Sequence, residues 1–359
     1  MILGVFLAIG ESIRDFKNKG QDKLLINYNF KTYSENFDKV YVFSYENERY
    51  TFFSNVIVLP NKYKLPRYFY SIFLPLFYPK EIISGDIFRG LQITGGLPGI
   101  ITKLFFRKKI IINYGYDYAK QAFIEGKKTR AFLYQLLKKL IFLIADKVIV
   151  TTTELRRQLN KNNPKTVLIP NGININLFKK INQSKKYSCI FVGRLERQKN
   201  LAVLIKAASK LDKRYRTILI IGEGKLKNRL FSYARKLAVN LKVISTVSNN
   251  QLPKYYNRAE IFILPSLLEG NPKALLEAMS CGLPCIGNDI SGINSIIKDK
   301  YNGLIFKKTV NSLTDKLNLL LSDPKLAIKI GVNARKTIIR NYNYEILKKK
   351  EIKLLKSAL

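Results

Sequence analysis

Short apolar runs alternate with amphipathic stretches along the whole chain. The apolar runs at residues 2–9, 40–44 and 56–60 predict strands, whereas the leucine spacing over residues 129–145 predicts an amphipathic helix. The same alternation starts again at residue 188. Because strands that alternate with helices form parallel sheets with crossover connections, the pattern predicts an α/β protein with two Rossmann-like, doubly wound domains that face each other across a cleft.

The boundary between the two predicted domains falls at Asn171-Gly172, a turn-forming pair that precedes a polar stretch at residues 179–186. A length of 359 residues also favours two domains over one. The sequence therefore predicts a first domain over residues 1–170, a linker over 171–186, a second domain over 187–340, and a C-terminal helix over 341–359 that packs back on the first domain.

Two further helices are predicted in the first domain, one over residues 21–35 and one over the aromatic stretch 66–83, broken near Pro75. The longest aromatic run, residues 68–79, is too short to span a bilayer. No basic segment precedes the apolar run at residues 2–9, which is therefore expected to be a buried strand rather than a signal peptide.

The formal net charge of +38 indicates an anionic partner, and nucleic acid, an anionic membrane surface and a phosphorylated substrate all fit it. Residues 62–139 contain 15 Lys or Arg and four Asp or Glu, interleaved with aromatic residues, which suits a membrane interface. However, residues 179–236 are as basic, with 17 against three. Compositional drift toward lysine therefore stays open as an explanation.

The three cysteines, Cys189, Cys281 and Cys285, lie in apolar or helix-end segments and are expected to be reduced core thiols of a cytoplasmic protein. The chain has no histidine, so a zinc site is not expected.

The most informative stretch is LPSLLEGNPKALLEAMSCGLPCIGN, residues 264–288. It predicts a strand, a loop, a helix capped by Asn271 with Pro272 in its first turn, and a second strand. Glu269 lies at the mouth of this helix, and Glu277 lies inside it among apolar neighbours. A carboxylate in such surroundings destabilises the fold unless a polar partner meets it.

A second candidate site follows the strand that begins the second domain. Gly193 ends this strand, and Arg194, Arg197 and Lys199 come directly before a predicted helix over residues 201–211. Cations oppose the dipole at a helix N-terminus, so the pattern indicates a bound anion, with a solvated basic loop as the alternative. Gly222-Glu223-Gly224 also follows a strand, but it lacks the third glycine of a dinucleotide-binding fingerprint.

Six segments of the second half resemble the retaining GT-B glycosyltransferases of group 1, also called family four: ADKVIVTTTEL, VLIPNGININLF, FVGRLERQKN, IIGEG, LPKYYNRAEIFILPS and EGNPKALLEAMSCGLPCIG. They occur in the family's order and at its spacing, over about residues 145–340. The first half resembles the family more loosely. The resemblance implies a hexosyltransferase with a first domain for the acceptor and a second for the nucleoside-diphosphate sugar, such as a UDP- or GDP-sugar.

The resemblance also implies roles for individual residues. Arg194 and Lys199 would bind the donor diphosphate and stabilise it as it leaves, Glu269 would face the donor sugar, and Glu277 would accept hydrogen bonds from the ribose. The remaining donor-binding positions would be Gly10, which approaches the diphosphate across the cleft, together with Gly193, Gly270, Asn271, Pro272 and Lys273. A departure from the family is the missing first-domain histidine, for which the nearby candidates are Tyr114, Tyr116 and Asp117.

Lysine, arginine and helix N-terminal amides that meet a leaving diphosphate supply the electrostatic stabilisation that a divalent metal gives elsewhere, so neither a metal nor another cofactor is expected. In relatives the acceptor is a glycan or a lipid-linked molecule at the cytoplasmic face of a membrane. The function implied is bacterial-type surface polysaccharide or glycolipid synthesis by a cytoplasmic or peripheral membrane enzyme. The rivals are a nucleic-acid-binding protein, which is not expected because no recognition module is found, a nicotinamide-dependent oxidoreductase, and a GT-B fold without activity.

Overall fold

The computed structural model of the protein describes residues 1–18, 20–21, 25–159 and 165–358. The chain divides into two units: Met1–Pro170 together with Lys348–Leu359 form unit 1, and Asn171–Leu347 form unit 2. The segment predicted as a linker, 171–186, belongs to unit 2. Within the predicted helix 21–35, residues 22–24 lie outside the described residues, as does residue 359 of the predicted C-terminal helix.

Unit 1 contains a seven-stranded parallel sheet in the order β3-β2-β1-β4-β5-β6-β7. Its central strands are buried on both faces, which is typical of a parallel sheet covered by helices. The strands are β1 (Ile2–Phe6), β2 (Lys39–Phe43), β3 (Val56–Leu59), β4 (Ile87–Gly90), β5 (Lys109–Tyr114), β6 (Lys147–Val150) and β7 (Thr166–Leu168).

The helix predicted over residues 129–145 is confirmed, whereas the helix predicted over 21–35 is only partly correct, because a π-helical turn and a short α-helix occupy its described residues 25–34. The aromatic stretch also differs from its prediction. Pro75 lies inside a helix, and the break comes at Tyr78 instead, because Pro79 starts the next helix at its favoured first position. The helices are α1 (Ile13–Asn18), a π-helical turn (Leu25–Phe30) that leads into α2 (Lys31–Ser34), α3 (Arg67–Phe77), α4 (Pro79–Ser84), α5 (Gly96–Phe106), α6 (Tyr118–Ile124), α7 (Lys128–Ile144) and α8 (Thr153–Gln158).

The C-terminal residues of the chain join unit 1 through a buried charged cluster. Glu351 accepts hydrogen bonds from Tyr33 Oη at 2.6 Å and Lys348 Nζ at 3.1 Å, and pairs with Arg89 Nη1 at 2.9 Å. Burial raises the pKa of Glu351, but the two cations outweigh it and leave that pKa below its ordinary value. The carboxylate is therefore charged and is held by two cations and one hydroxyl group, as a buried ion requires.

Unit 2 contains a six-stranded parallel sheet in the order β10-β9-β8-β11-β12-β13. The strands are β8 (Tyr187–Val192), β9 (Thr217–Ile221), β10 (Asn240–Ile244), β11 (Ala259–Leu264), β12 (Cys285–Asn288) and β13 (Leu304–Phe306). The helices are α9 (Leu201–Ala208), α10 (Lys227–Lys236), α11 (Leu252–Asn257), α12 (Lys273–Ser280), α13 (Ser291–Asn294), α14 (Val310–Ser322), α15 (Pro324–Asn341) and α16 (Tyr344–Ser357), whose last residues belong to unit 1.

The two sheets confirm the predicted pair of Rossmann-like domains. Cys189, Cys281 and Cys285 are buried and carry free thiols, in agreement with the sequence. Among the described residues, no helix combines the length and the apolar content needed to cross a bilayer.

Candidate active site

The site in unit 2 is built on the two central strands, β8 and β11, which are neighbours in the sheet. The strand order reverses at this point, and ligands of open α/β sheets bind beside such a reversal, at the carboxyl ends of the strands. The loop after β8 carries Arg194 and Lys199, and the loop after β11 carries Glu269 and Gly270. The two sequence-predicted sites of the second domain are therefore one site.

Hydrogen bonds join the two loops. The Leu267 N–H donates to the Gln198 carbonyl at 2.8 Å, and Gln198 Nε2 donates to the Leu268 carbonyl at 2.5 Å. Gln198 is only 1% exposed, so these bonds are shielded from water. They fix the spacing between the loop after β8, which carries Lys199 (the cationic loop), and the loop after β11, which carries Glu269 (the carboxylate loop).

Lys199 and Glu269 form an ion pair between these loops. Lys199 Nζ lies 2.6 Å from Glu269 Oε1, and their side chains are 13% and 7% exposed. A buried pair of this kind is costly to break by removing one partner, because the other charge is left unpaired. Each side chain therefore holds the other at a defined position in the site.

A glycine-rich loop after β9 packs against the loop after β8, which carries Arg194 and Lys199. The Gly193 N–H donates to the Ile221 carbonyl at 2.9 Å, and the Leu195 N–H donates to the Glu223 carbonyl at 2.7 Å. Gly222 has φ +149°, and a Cβ there would lie 1.9 Å from the Gly193 carbonyl oxygen. Gly222 is thus required for close backbone packing against the loop after β8, a structural role that involves no dinucleotide.

The start of α12 differs from the sequence prediction. Pro272, not Asn271, occupies the N-cap position, and among the described residues no side chain caps the helix. The Asn271 side chain instead accepts from the Asn171 N–H at 2.8 Å, while Asn171 Nδ2 donates to the Asn271 carbonyl at 2.6 Å. The first N–H groups of α12 are consequently left without a side-chain cap beside Glu269, and such groups favour anions and hydroxyl oxygens.

Glu277, on α12, has the polar partners that the sequence could not identify. Tyr256 Oη donates to Glu277 Oε2 at 2.9 Å and Asn249 Nδ2 donates to Oε1 at 3.3 Å, with the residue 6% exposed. Burial is the largest influence and raises the pKa of Glu277 to about 7, against the opposite effects of the Tyr256 and Asn249 hydrogen bonds and of Lys273. This carboxyl group therefore titrates near neutrality.

Glu277→Gln is expected to flatten the decline of stability with rising pH. Because the pKa is raised in the folded state, the wild type binds the extra proton between about pH 4.5 and 7 and loses stability as pH rises through this window. The loss is up to about 3 kcal/mol. Melting temperatures of wild type and variant should be close at pH 5 and diverge by pH 8, with exposed Glu345→Gln as the control. Parallel profiles would contradict the assignment.

The other predicted residues lie in different surroundings. Arg194 is exposed and contacts Glu196 at 3.2 Å, which leaves it accessible to a ligand. In unit 1, Gly10 has φ +78° and packs against the Arg67 side chain. Tyr114 is 2% exposed in the core, where burial raises its pKa. Asp117 accepts from the Lys120 N–H at 3.0 Å and caps α6.

Tyr116, the third candidate of this group, packs its ring edge-on against Tyr118. The core position of Tyr114 and the capping contact of Asp117 account for both residues without a ligand. The acceptor role of the group stays a prediction.

Sequence reasoning missed the residues that position the site, chiefly Gln198, Asn249, Tyr256 and Gly292. A Cβ on Gly292 would lie 2.2 Å from the Glu269 carbonyl oxygen, so this glycine supports the carboxylate loop. The one signal in the sequence was the position of Glu277 among apolar neighbours, which indicated that this carboxylate needs a polar partner.

Known proteins resemble unit 2 in sequence. Residues 173–337 match the family model for glycosyl transferases, group 1. This unit is a group 1 glycosyltransferase domain. Over 198 residues, the chain is 31% identical to a UDP-Gal:alpha-D-GlcNAc-diphosphoundecaprenol alpha-1,3-galactosyltransferase of Escherichia coli, a match that covers 50% of this chain and 51% of the relative. The chain spans about half the length of the curated relatives it matches.

Solved structures extend the likeness of the fold to the whole chain. A sucrose-phosphate synthase from Thermosynechococcus elongatus superposes with a TM-score of 0.79 at 19% identity, covering 99% of this chain and 98% of that one. HepE of Anabaena in complex with UDP superposes with a TM-score of 0.76 at 16% identity, covering 99% of each chain. The group 1 domain is thus the second half of a two-domain α/β GT-B fold.

Proposed function

We propose that the protein is a retaining hexosyltransferase that moves a sugar from a UDP- or GDP-sugar to a glycan or lipid-linked acceptor without a metal ion. The proposal rests on one observation. The Lys199–Glu269 ion pair and the N-terminus of α12 lie together at the carboxyl ends of β8 and β11. The UDP complexes of HepE, which has the same fold, support a nucleotide-sugar donor.

Negative charge develops on the diphosphate as the donor's glycosidic bond breaks. Lys199 and Arg194 would stabilise this charge, and the N–H groups at the start of α12 would donate to phosphate or sugar oxygens. Lys199 is already fixed by Glu269, so little reorganisation is needed when the diphosphate arrives. A protein base is not required if the leaving phosphate takes the acceptor proton, which agrees with a chain that has no histidine.

Glu277 would receive the ribose hydroxyl groups of the donor. Hydroxyl donors favour the charged form of a carboxylate, so bound donor should lower the pKa of Glu277 from about 7. Donor binding near neutral pH should therefore release a proton.

The acceptor is proposed from the relatives. The Escherichia coli relative acts on a sugar-diphosphoundecaprenol, and so do three relatives of Campylobacter jejuni, judged by their names. A lipid-linked sugar acceptor at the cytoplasmic face of a membrane fits this group, as does a role in surface polysaccharide or glycolipid synthesis.

A thermal-shift panel of UDP-, GDP- and ADP-sugars tests the donor class. A ligand at 100 times its dissociation constant adds about 2.7 kcal/mol of stability, which is a readily measured shift. We expect one nucleotide series to raise the melting temperature in the presence of EDTA, and the Glu277→Gln variant to lose most of that shift. The proposal fails if no sugar nucleotide shifts the melting temperature.

The anomeric configuration of the product, followed by NMR with the donor so identified, tests retention. An α-linked product from an α-linked donor is expected. An inverted product would overturn the retaining mechanism and leave the donor assignment intact.

A further inference from the structure

Unit 1 exposes an unusual number of large apolar side chains. Among the described residues, 23 such side chains are exposed, and 14 of them lie between positions 63 and 143. Isolated exposed apolar residues are normal, but a concentration of them marks an interaction surface. The fourteen are Tyr63, Tyr68, Phe69, Ile72, Leu76, Ile83, Leu104, Phe105, Phe123, Phe132, Leu133, Leu136, Leu140 and Leu143.

Helix α7 is the clearest part of this concentration. Its leucines at helical spacing, which ordinarily indicate a face turned to the core, are exposed in the structure: Leu133 by 57%, Leu136 by 42% and Leu140 by 47%. Of the 17 described residues of α7, only Ile141 is buried. The apolar stripe of α7 therefore has another purpose than packing within unit 1.

Neighbouring helices continue the stripe. Helix α3 packs against α5, and α5 packs against α7. On α3, Phe69, Ile72 and Leu76 are exposed by 40–50% while Tyr70 and Leu74 are buried. Arg130 Nη2 of α7 donates to Tyr68 Oη of α3 at 3.2 Å, which ties the ends of these two helices together.

The charged residues within the helices that carry the stripe are all basic. Asp146, which follows α7, pairs with Lys103 at 2.5 Å, and the other cations remain in excess. The sequences of α3, α5 and α7 contain six basic residues and no acidic residue: Arg67, Lys103, Lys128, Arg130, Lys138 and Lys139. The side chains of arginine and lysine next to exposed leucine and phenylalanine complement a surface that is anionic outside and apolar beneath. A second copy of this chain would bring like charges together and suits the surface poorly.

We propose that α3, α5 and α7 form a docking surface for an anionic lipid bilayer, hereafter the α3–α5–α7 face. The apolar side chains enter the boundary between head groups and acyl chains, and the basic residues contact lipid phosphates. The proposal deepens the proposed function, because a lipid-linked acceptor is presented at such a surface, but binding to lipid needs neither donor nor acceptor.

Because the sequence contains no tryptophan, a single introduced tryptophan is a specific fluorescent probe of its surroundings. Leu136→Trp places a single indole on the α3–α5–α7 face, and Val332→Trp places one on α15 of unit 2, at a residue 47% exposed against 42% for Leu136. With vesicles of phosphatidylglycerol and phosphatidylcholine, the emission of Leu136→Trp should move to shorter wavelength and that of Val332→Trp should not. With phosphatidylcholine alone, neither should move. No shift for Leu136→Trp, or equal shifts for both, would overturn the proposal.

A sedimentation assay with the same vesicles measures how much binding is lost when the apolar stripe is removed. The triple variant Leu133→Glu, Leu136→Glu, Leu140→Glu should lose most of its vesicle-bound fraction, since glutamate keeps the helix propensity of leucine but resists insertion. The control variant Ile328→Glu, Val332→Glu, Ile339→Glu adds the same charge to exposed positions of α15 and should keep binding. Equal losses would show that diffuse charge alone is responsible and would refute the α3–α5–α7 face.

Two further measurements separate the outcomes. The leucine triple variant should keep the melting-temperature shift given by the sugar nucleotide, so loss of lipid binding and failure of the donor site are distinguishable. Light scattering of the wild type without vesicles should show a monomer. A dimer that the triple variant abolishes would mean that the face binds a second copy, and would overturn the lipid proposal.

Discussion

Lys199→Ala is expected to lower kcat/KM by a factor of at least about 100, because removal of one preorganised group that stabilises transition-state charge has this effect. It should also destabilise unit 2, by about 3 kcal/mol, since it leaves the buried Glu269 carboxylate without its partner at 2.6 Å. Turnover with the identified sugar nucleotide and the melting temperature measure the two effects.

A second substitution separates lost catalysis from lost stability. Glu269→Gln in the Lys199→Ala background removes the unpaired charge and should restore most of the stability, while UDP or GDP affinity stays low. Glu269→Gln alone should bind the nucleotide at least as tightly as the wild type, because the glutamine amide oxygen can still position Lys199 and the competing negative charge is removed. Wild-type nucleotide affinity in the double variant would exclude Lys199 from diphosphate binding.

Gly222→Ala should have the second-largest effect. Its new Cβ would lie 1.9 Å from the Gly193 carbonyl oxygen, and its φ of +149° is strained for alanine. Either the β8 loop moves or the unit unfolds, and we expect a loss of 3 kcal/mol or more, roughly the upper range for a single substitution. Melting temperature and nucleotide affinity should both fall.

Gly282→Ala is the matched control for this prediction. Gly282 also has positive φ, +73°, but the nearest atom to its Cβ is the Gly331 carbonyl oxygen at 3.8 Å. Only backbone strain remains, about 1 kcal/mol, and nucleotide affinity should be unchanged. Similar losses at the two glycines would mean that close packing behind the β8 loop is unimportant.

Much of the fold could be predicted from local pattern, because buried parallel strands and amphipathic helices have distinct periods. The strand at residues 188–192 and the helix at 129–145 are examples, each found within one residue of its position in the structure. What α7 packs against could not be predicted. An apolar stripe has the same period whether it faces a core or a membrane.

The residues of the candidate site could be predicted from local sequence motifs. The contacts between residues that lie far apart in the chain could not. Lys199 and Glu269 are 70 positions apart, and their pairing depends on the adjacency of β8 and β11. The predicted N-cap of α12 was wrong for the same reason. Asn271 is a residue type that caps helices, but its side chain accepts a hydrogen bond from Asn171, 100 positions away.

The discontinuity of unit 1 decides how hybrid enzymes should be made from this chain. Unit 2 is an insertion within unit 1, entered after Pro170 and left before Lys348. A single crossover near residue 170 would supply the final helix from a foreign protein and separate Arg89 from Glu351. Exchange of residues 171–347 as a cassette keeps that buried pair intact, so a two-crossover design should yield folded chimeras. Under the proposed function, in which unit 2 binds the donor, these chimeras should also differ in donor choice.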